Sequence, residues 1–241
     1  MSRDVSDSFL PVKWRGNCVG YSLQLNGILF FFGNRHVNEN CLSEIYPQLS
    51  WCRMRQMHSN VVTKVSPPVF ADPTADAIWT NAKNLGLIVS TADCLPILIA
   101  TQSGIAAIHA GWRGVLSGIT SRTLQELYED SDNSKKFGAA LIGPHIEQTS
   151  FDFSRSDAQP FFDLALRLKL NSDLVVANGN ANSTKVRVAL RSFVHAQITQ
   201  TGYISAQDIL ELPINTFTAP EFHSYRREKE PGRNLSFVAR L

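Results

Sequence analysis

Three residues of this chain, His58, Cys94 and His109, combine the chemistry of metal ligands with that of a nucleophile and its base. Two imidazoles and a thiol that converge can hold a divalent cation and leave one coordination position open, as in catalytic zinc sites. The same thiol beside an imidazole can act without a metal, Cys94 attacking and His109 taking its proton. Asp93, next to the cysteine, is a candidate for moving a proton; it reads equally as a turn cap or as a carboxylate that orients a histidine. His58 taken alone reads as an interior imidazole bonded to backbone. Arg113 and Gly111, within His109-Ala110-Gly111-Trp112-Arg113-Gly114, and Arg226, within Ser224-Tyr225-Arg226-Arg227, suit an anion. A glycine-rich joint between a strand and a helix turns free backbone N–H groups outward and, with an arginine, suits phosphate. The glycines serve equally to permit a tight turn. The spacing and lysine of a Walker loop are absent.

The stretch Leu87 to Gly114 must position most of these groups. Two apolar runs meet at Gln102-Ser103-Gly104. A turn pairing Thr101 with Gly104 sets His109 opposite Pro96, with Cys94 as its diagonal neighbour on one face. Pro96 cannot donate to a ladder, so it implies an edge, a bulge or a break just after the cysteine. Asp93, Pro96, Gln102 and Ser103-Gly104 interrupt residues 85 to 108 too often for a membrane span, and two buried strands fit better. After Gly114 the pattern becomes helical, with Val115, Leu116, Ile119, Leu124, Leu127 and Tyr128 on one stripe.

Elsewhere, Asn26-Gly27 between Tyr21–Leu25 and Ile28–Phe32 signals a hairpin. A helix is expected over 38–49, a strand region over 51–65, and an irregular loop from Pro67-Pro68 to Thr74, with Asp76 as a turn cap. A polar loop over 131–136 precedes a strand over 139–142, and Gly143-Pro144-His145 is a possible site wall. Helices are expected over 158–169 and 187–200, the second stopped by Gly202. A strand closes the chain from Leu235 to Leu241. If Tyr225-Arg226-Arg227 is extended, only one of the two arginines can face a pocket and the other is solvated.

The 241 residues, 44% hydrophobic and 18% charged, support a sizeable core, and one domain over 1–241 is expected. A net charge of +2, with no basic run beyond Arg226-Arg227, does not suggest a nucleic-acid surface. The charged N-terminal residues lack the apolar middle of a secretory signal. Cysteines 18, 41, 52 and 94 form no CxxC, which fits reduced thiols. A cytoplasmic location, away from membranes, is the expectation.

The words Gln56-Met57-His58-Ser59, Thr91-Ala92-Asp93-Cys94-Leu95-Pro96, His109–Gly114, Ile142-Gly143-Pro144, and Ser224–Arg227 with Gly232-Arg233 run in order from residue 56 to the C-terminus. Together they resemble the bacterial YfiH/YlmD-like family, variously labelled multicopper polyphenol oxidase, laccase-domain protein and purine nucleoside phosphorylase. The resemblance is weak before Gln56. It implies an α/β fold with mixed sheets packed between helices, and zinc bound by His58, Cys94 and His109. The implied activity is phosphorolysis of adenosine, inosine and methylthioadenosine, with adenosine deamination alongside and no nicotinamide or flavin. Purine nucleoside and phosphate are then the small-molecule partners; on the residues themselves, Asp93 is the candidate proton shuttle for deamination, and Arg113 with the His109–Gly114 amides, helped by Arg226, the candidate phosphate cradle. Asn215-Thr216 stands where the family usually has Cys-Thr, His223 where it has an aromatic residue, and Phe151-Asp152-Phe153 where it has aromatic-Glu-Val.

Three other functions stay open. One is a cysteine hydrolase acting on cell-wall precursors. Another is copper-dependent oxidation of phenols, since two histidines and a cysteine match the core of a blue-copper site, although six histidines are too few for a four-copper assembly. The last is a structural zinc in a binding module, which would need a fourth protein ligand that the motifs do not show, Cys52 being a candidate by its nearness to His58 in sequence.

Overall fold

The computed structural model describes residues 8–129, 137–178, 184–230 and 232–241. Strands β1 (Leu10–Trp14), β2 (Asn17–Leu25) and β3 (Ile28–Gly33) open the chain. Asn26 and Gly27, at φ 49° and 74°, supply the two left-handed positions of a tight hairpin turn, and Leu25 faces Ile28. Helix α1 (Glu39–Ile45) starts where the Asn38 side chain accepts the Cys41 N–H.

Two expectations change in the next segment. The strand region expected over 51–65 is two short strands in different sheets, β4 (Ser50–Cys52) and β5 (Val62–Lys64), with residues 53–61 looping between them. After β6 (Ala77–Thr80), the stretch expected as two strands is three: β7 (Leu85–Thr91), β8 (Leu95–Thr101) and β9 (Ile105–Ala110). The chain leaves one sheet at Thr91 and enters the other at Leu95, reversing through Asp93 at φ 89°.

Helices α2 (Trp112–Leu116) and α3 (Ile119–Glu129) follow, then β10 (Gly138–Ile142), β11 (Asp152–Ser154), α4 (Gln159–Arg167), α5 (Ser172–Val175) and β12 (Val176–Asn178). The loop expected over 131–136 lies outside the described residues. The helix expected from Arg187 begins at α6 (Leu190–Gln200), because Lys185–Val188 pairs as β13 between β11 and β12. The chain ends through β14 (Ile209–Glu211), α7 (Tyr225–Glu228) and β15 (Asn234–Arg240).

Two six-stranded mixed sheets stack, in the orders β1-β2-β3-β15-β7-β4 and β14-β10-β8-β9-β6-β5. Alternation along each strand divides the core. Phe30, Phe32, Leu87 and Val89 face Leu98, Ala100, Ile105 and Ala107 between the sheets. Phe31, Ile88 and Phe237 face α1, while Ile97, Ile99, Ala106 and Ile108 face α3, α4 and α6. The layers are α/β/β/α, and the β7–β8 and β9–α2 turns come together at one end of the stack.

The expected register holds: Pro96 lies opposite His109. Pro96 is nevertheless on a central strand, not an edge. It is the second residue of β8, and β10 stops pairing at Ile142, leaving the Pro96 carbonyl to accept the Gly143 N–H at 3.0 Å. A residue that cannot donate sits where the neighbouring ladder ends.

Candidate active site

His109 is the penultimate residue of β9, Cys94 closes the β7–β8 turn, and His58 lies in the 53–61 loop at φ 58°. Their ligating atoms all lie within 4.8 Å of one another. Cys94 Sγ is 4.0 Å from His58 Nε2, and the two imidazoles meet edge to face at 4.7 Å between centroids.

Asp76 gathers these residues and is more than the turn cap expected from sequence. Its carboxylate is fully buried. Oδ1 accepts from His109 Nδ1 at 2.8 Å and the His58 N–H at 2.9 Å; Oδ2 accepts the Ser59 N–H at 2.7 Å and its hydroxyl at 2.6 Å. The Met57 N–H lies 3.2 Å from both oxygens. The Asp76 carbonyl also accepts the His109 N–H at 2.7 Å. Burial alone would raise this carboxyl, but the His109 and Ser59 hydrogen bonds hold it well below the usual range. The only sequence signal for this role is an aspartate just before the short apolar run Ala77-Ile78-Trp79 of β6.

Desolvation pushes the Cys94 thiol up, yet hydrogen bonds from His109 and His58, with their charge, bring it down to about 6. Burial pulls His109 down, while Asp76 and then Cys94 raise it to about 9. A divalent cation competes for the same electron pairs, since thiolate and neutral imidazole are the ligating forms.

The donor set fits a tetrahedral metal. With Zn–N near 2.0 Å and Zn–S near 2.3 Å, ligands sit roughly 3.3–3.6 Å apart, so the cluster need close by only about 1 Å. Gly111 leaves the room. Its φ is −73°, which any residue adopts, but a Cβ there would lie 2.9 Å from His58 Cδ2 and 3.1 Å from Cys94 Sγ. Crowding against the cluster, rather than a tight turn, is what requires glycine. Cys52 does not join the group. It sits in the core between the sheets, where burial pushes its thiol up to about 11.

The cluster forms one wall of a cavity of about 630 Å³, in the range of small-molecule sites. Arg113, Arg226, Lys229 and Arg233 also line it. The Arg113 guanidinium stacks on Trp112 at 4.1 Å, and that of Arg226 lies 5.3 Å from the Phe151 ring. Among the described residues, none of the four cations pairs with a carboxylate. Asp93 lines the cavity too, but Oδ1 accepts the Thr216 hydroxyl at 2.7 Å and Oδ2 the Arg226 backbone N–H at 2.6 Å.

Residues 225–228 are a helical turn capped by Ser224, not an extended segment. Arg226 reaches the cavity. Arg227 is not solvated: it donates to the carbonyls of Thr216, Phe217, Ala219 and Phe222 and pairs with Glu228. His145 is buried, bonded through Nδ1 to the Gly143 carbonyl and pushed down to about 4 by burial; Ile146, not His145, lines the cavity. Gln56 clamps the Ser90 backbone with two hydrogen bonds, extending the sheet edge beyond β4. Of the words that depart from the family's usual ones, Phe151-Asp152-Phe153 reaches the cavity only through Phe151, its aromatic that matches the family, while the Asn215 amide accepts the Glu147 and Phe217 N–H groups and donates to the Ser150 hydroxyl.

Comparisons with known proteins give the chain its relatives and its fold likeness. A purine nucleoside phosphorylase of Aquifex aeolicus is 32% identical over 190 residues, covering 77% of this chain and 81% of its own. Purine nucleoside phosphorylase YfiH of Escherichia coli is 28% identical, covering 77% and 72%. Among solved structures, the hypothetical protein YfiH of Bacillus licheniformis superposes with a TM-score of 0.80 at 19% identity over 92% of this chain and 96% of that one. YlmD of Geobacillus stearothermophilus gives 0.79 at 19% over 96% and 99%. The profile of the family described as multi-copper polyphenol oxidoreductase laccase matches residues 34–241, beginning before the first recognisable word at Gln56. On that match the chain belongs to the multi-copper polyphenol oxidoreductase laccase family.

Proposed function

We propose that this protein is a cytoplasmic purine nucleoside phosphorylase that binds zinc on His58, Cys94 and His109 and also deaminates adenosine. One observation carries the reading: a three-donor metal cluster and four unpaired cations share a single cavity. The names of the relatives supply the reaction class. When bound, a metal of this kind supplies Lewis-acid polarisation and lowers the pKa of water to about 7.

The chain's own residues provide the rest. Arg113, with its guanidinium plane set by Trp112, and Arg226 hold the phosphate dianion through charge-assisted hydrogen bonds and direct an oxygen at C1′ of the ribose. A phosphate oxygen bonds to C1′ as the C1′–N9 bond breaks; the bond pair leaves on the purine, which takes the proton that hydrogen phosphate gives up, so the products are pentose 1-phosphate and free base. Phe151, Ile146 and Leu190 supply an apolar surface for the purine. Asp93, with both oxygens already engaged, serves as a tie between the β7–β8 turn and α7 rather than as the proton carrier.

The test is product analysis with inosine and adenosine, with and without phosphate, on protein whose metal content is measured in the same preparation. Phosphate-dependent release of base together with pentose 1-phosphate is expected. Release that ignores phosphate, or that persists at full rate in metal-free protein, contradicts the proposal. Prompt alkylation of Cys94 in metal-loaded protein would favour the hydrolase instead.

A further inference from the structure

We propose that Asp76 is the positioning residue of the metal centre, one carboxylate that sets both imidazoles at once. The inference rests on the metal reading of the cluster.

An ionised carboxylate only accepts hydrogen bonds. Oδ1 therefore requires a proton on His109 Nδ1, 2.8 Å away, and leaves the lone pair on Nε2. A second contact pins the same residue, since the Asp76 carbonyl takes the His109 backbone N–H at 2.7 Å. Ring and backbone are thus both fixed to one amino acid, and the imidazole can present only Nε2 to the cluster.

His58 is controlled through its backbone. Three successive N–H groups, of Met57, His58 and Ser59, point at the Asp76 carboxylate, and the Ser59 hydroxyl closes the ring of donors. This wrap accompanies the left-handed conformation of His58, φ 58°, which a non-glycine residue adopts at a cost of order 1 kcal/mol or more. Without the carboxylate, three successive backbone donors lose their acceptor and the loop has no reason to keep that turn. Cys94 is outside this arrangement, because its turn is tied by Asp93 instead.

The test compares wild type with Asp76→Asn and Ser59→Ala as full-length proteins. Zinc affinity is measured by competition with a chromophoric chelator, and ligand geometry by the visible spectrum of the cobalt-substituted proteins. Asp76→Asn is nearly isosteric but offers one acceptor oxygen instead of two. It is expected to weaken zinc binding by roughly ten- to a hundredfold and to alter the cobalt bands, as loss of a partner behind a metal ligand does. Ser59→Ala, which keeps the ring contact, is expected to change zinc affinity by less than about threefold.

A folded Asp76→Asn protein with wild-type zinc affinity and an unchanged cobalt spectrum overturns the inference. Should that variant not fold, nitrogen-15 spectra of the histidines in zinc-loaded wild type decide: Nδ1 of His109 protonated and Nε2 bound supports it, and the reverse overturns it. Wild type that takes up no zinc or cobalt overturns the metal reading itself, a result distinct from loss of the Asp76 effect alone.

Discussion

The cavity has two walls built on opposite plans. On the metal wall, every charge is matched: Asp76 is surrounded by donors, His109 is held between Asp76 and Cys94, and Gly111 is reduced to a hydrogen to make room. On the arginine wall, the cations of Arg113, Arg226, Lys229 and Arg233 are stacked on rings or left towards solvent, with no carboxylate among the described residues to satisfy them. A site that must hold a metal between turnovers needs compensated, rigid ligands. A site that must bind and release an anion needs charge that the protein itself does not neutralise.

If the walls are independent in this sense, they should fail separately. Cys94→Ala gives the largest effect. It should lower metal affinity by more than about a hundredfold, beyond what loss of an outer partner costs, and abolish both activities. The circular dichroism spectrum should stay that of a folded protein. Full turnover of adenosine by this variant would show that the metal wall is not where the chemistry happens. Arg113→Ala should do the converse. Metal content should be retained, while the apparent KM for phosphate rises roughly ten- to a hundredfold, the worth of a charged hydrogen bond. An unchanged phosphate dependence would take Arg113 out of the site.

Asp93→Asn probes the seam between the walls, since Asp93 is joined to Cys94 in sequence and to the Arg226 backbone in space. Metal should stay bound, and kcat/KM for phosphate should fall about three- to tenfold as α7 loosens. If Asp93 instead carried the proton in deamination, that activity would be lost selectively, and an assay of both reactions separates the two roles.

The smallest effect concerns the foundation of the arginine wall. Arg227, together with Arg35 and His223, holds the Glu228 carboxyl down from 4.5 to about 2. The stability this contributes is complete above pH 4.5 and disappears as the pH falls towards 2, because the unfolded chain takes up the proton first. In thermal unfolding of metal-free protein, the gap between wild type and Glu228→Gln should therefore narrow from pH 6 to pH 3. A constant gap would mean that Glu228 works by packing alone.

How much of this was written in the sequence differs between the walls. The turn at Gln102-Ser103-Gly104 sets Pro96 opposite His109, because in a hairpin the turn and its length fix the register of the two strands it joins. The residues of the cluster were recognisable from type and from the words around them. Asp76 was not, since its role depends on β6 pairing with β9 and on the 53–61 loop folding back over it, neither of which local pattern announces. The same holds for Arg227, whose acceptors are carbonyls of a loop without regular structure. The two-strand reading of residues 85–108 failed at Asp93-Cys94, where three residues, Ala92 to Cys94, carry the chain between sheets in too short a span to break the apolar run.

The central claim is that one sulfur and two imidazoles grip a single divalent ion. X-ray absorption at the zinc edge of purified wild-type protein tests it most directly. The expected spectrum shows one sulfur near 2.3 Å, two imidazole nitrogens at about 2.0–2.1 Å and one further light atom, in protein containing one zinc per chain. A shell of nitrogen and oxygen with no sulfur, or two or more sulfurs per zinc, would contradict it.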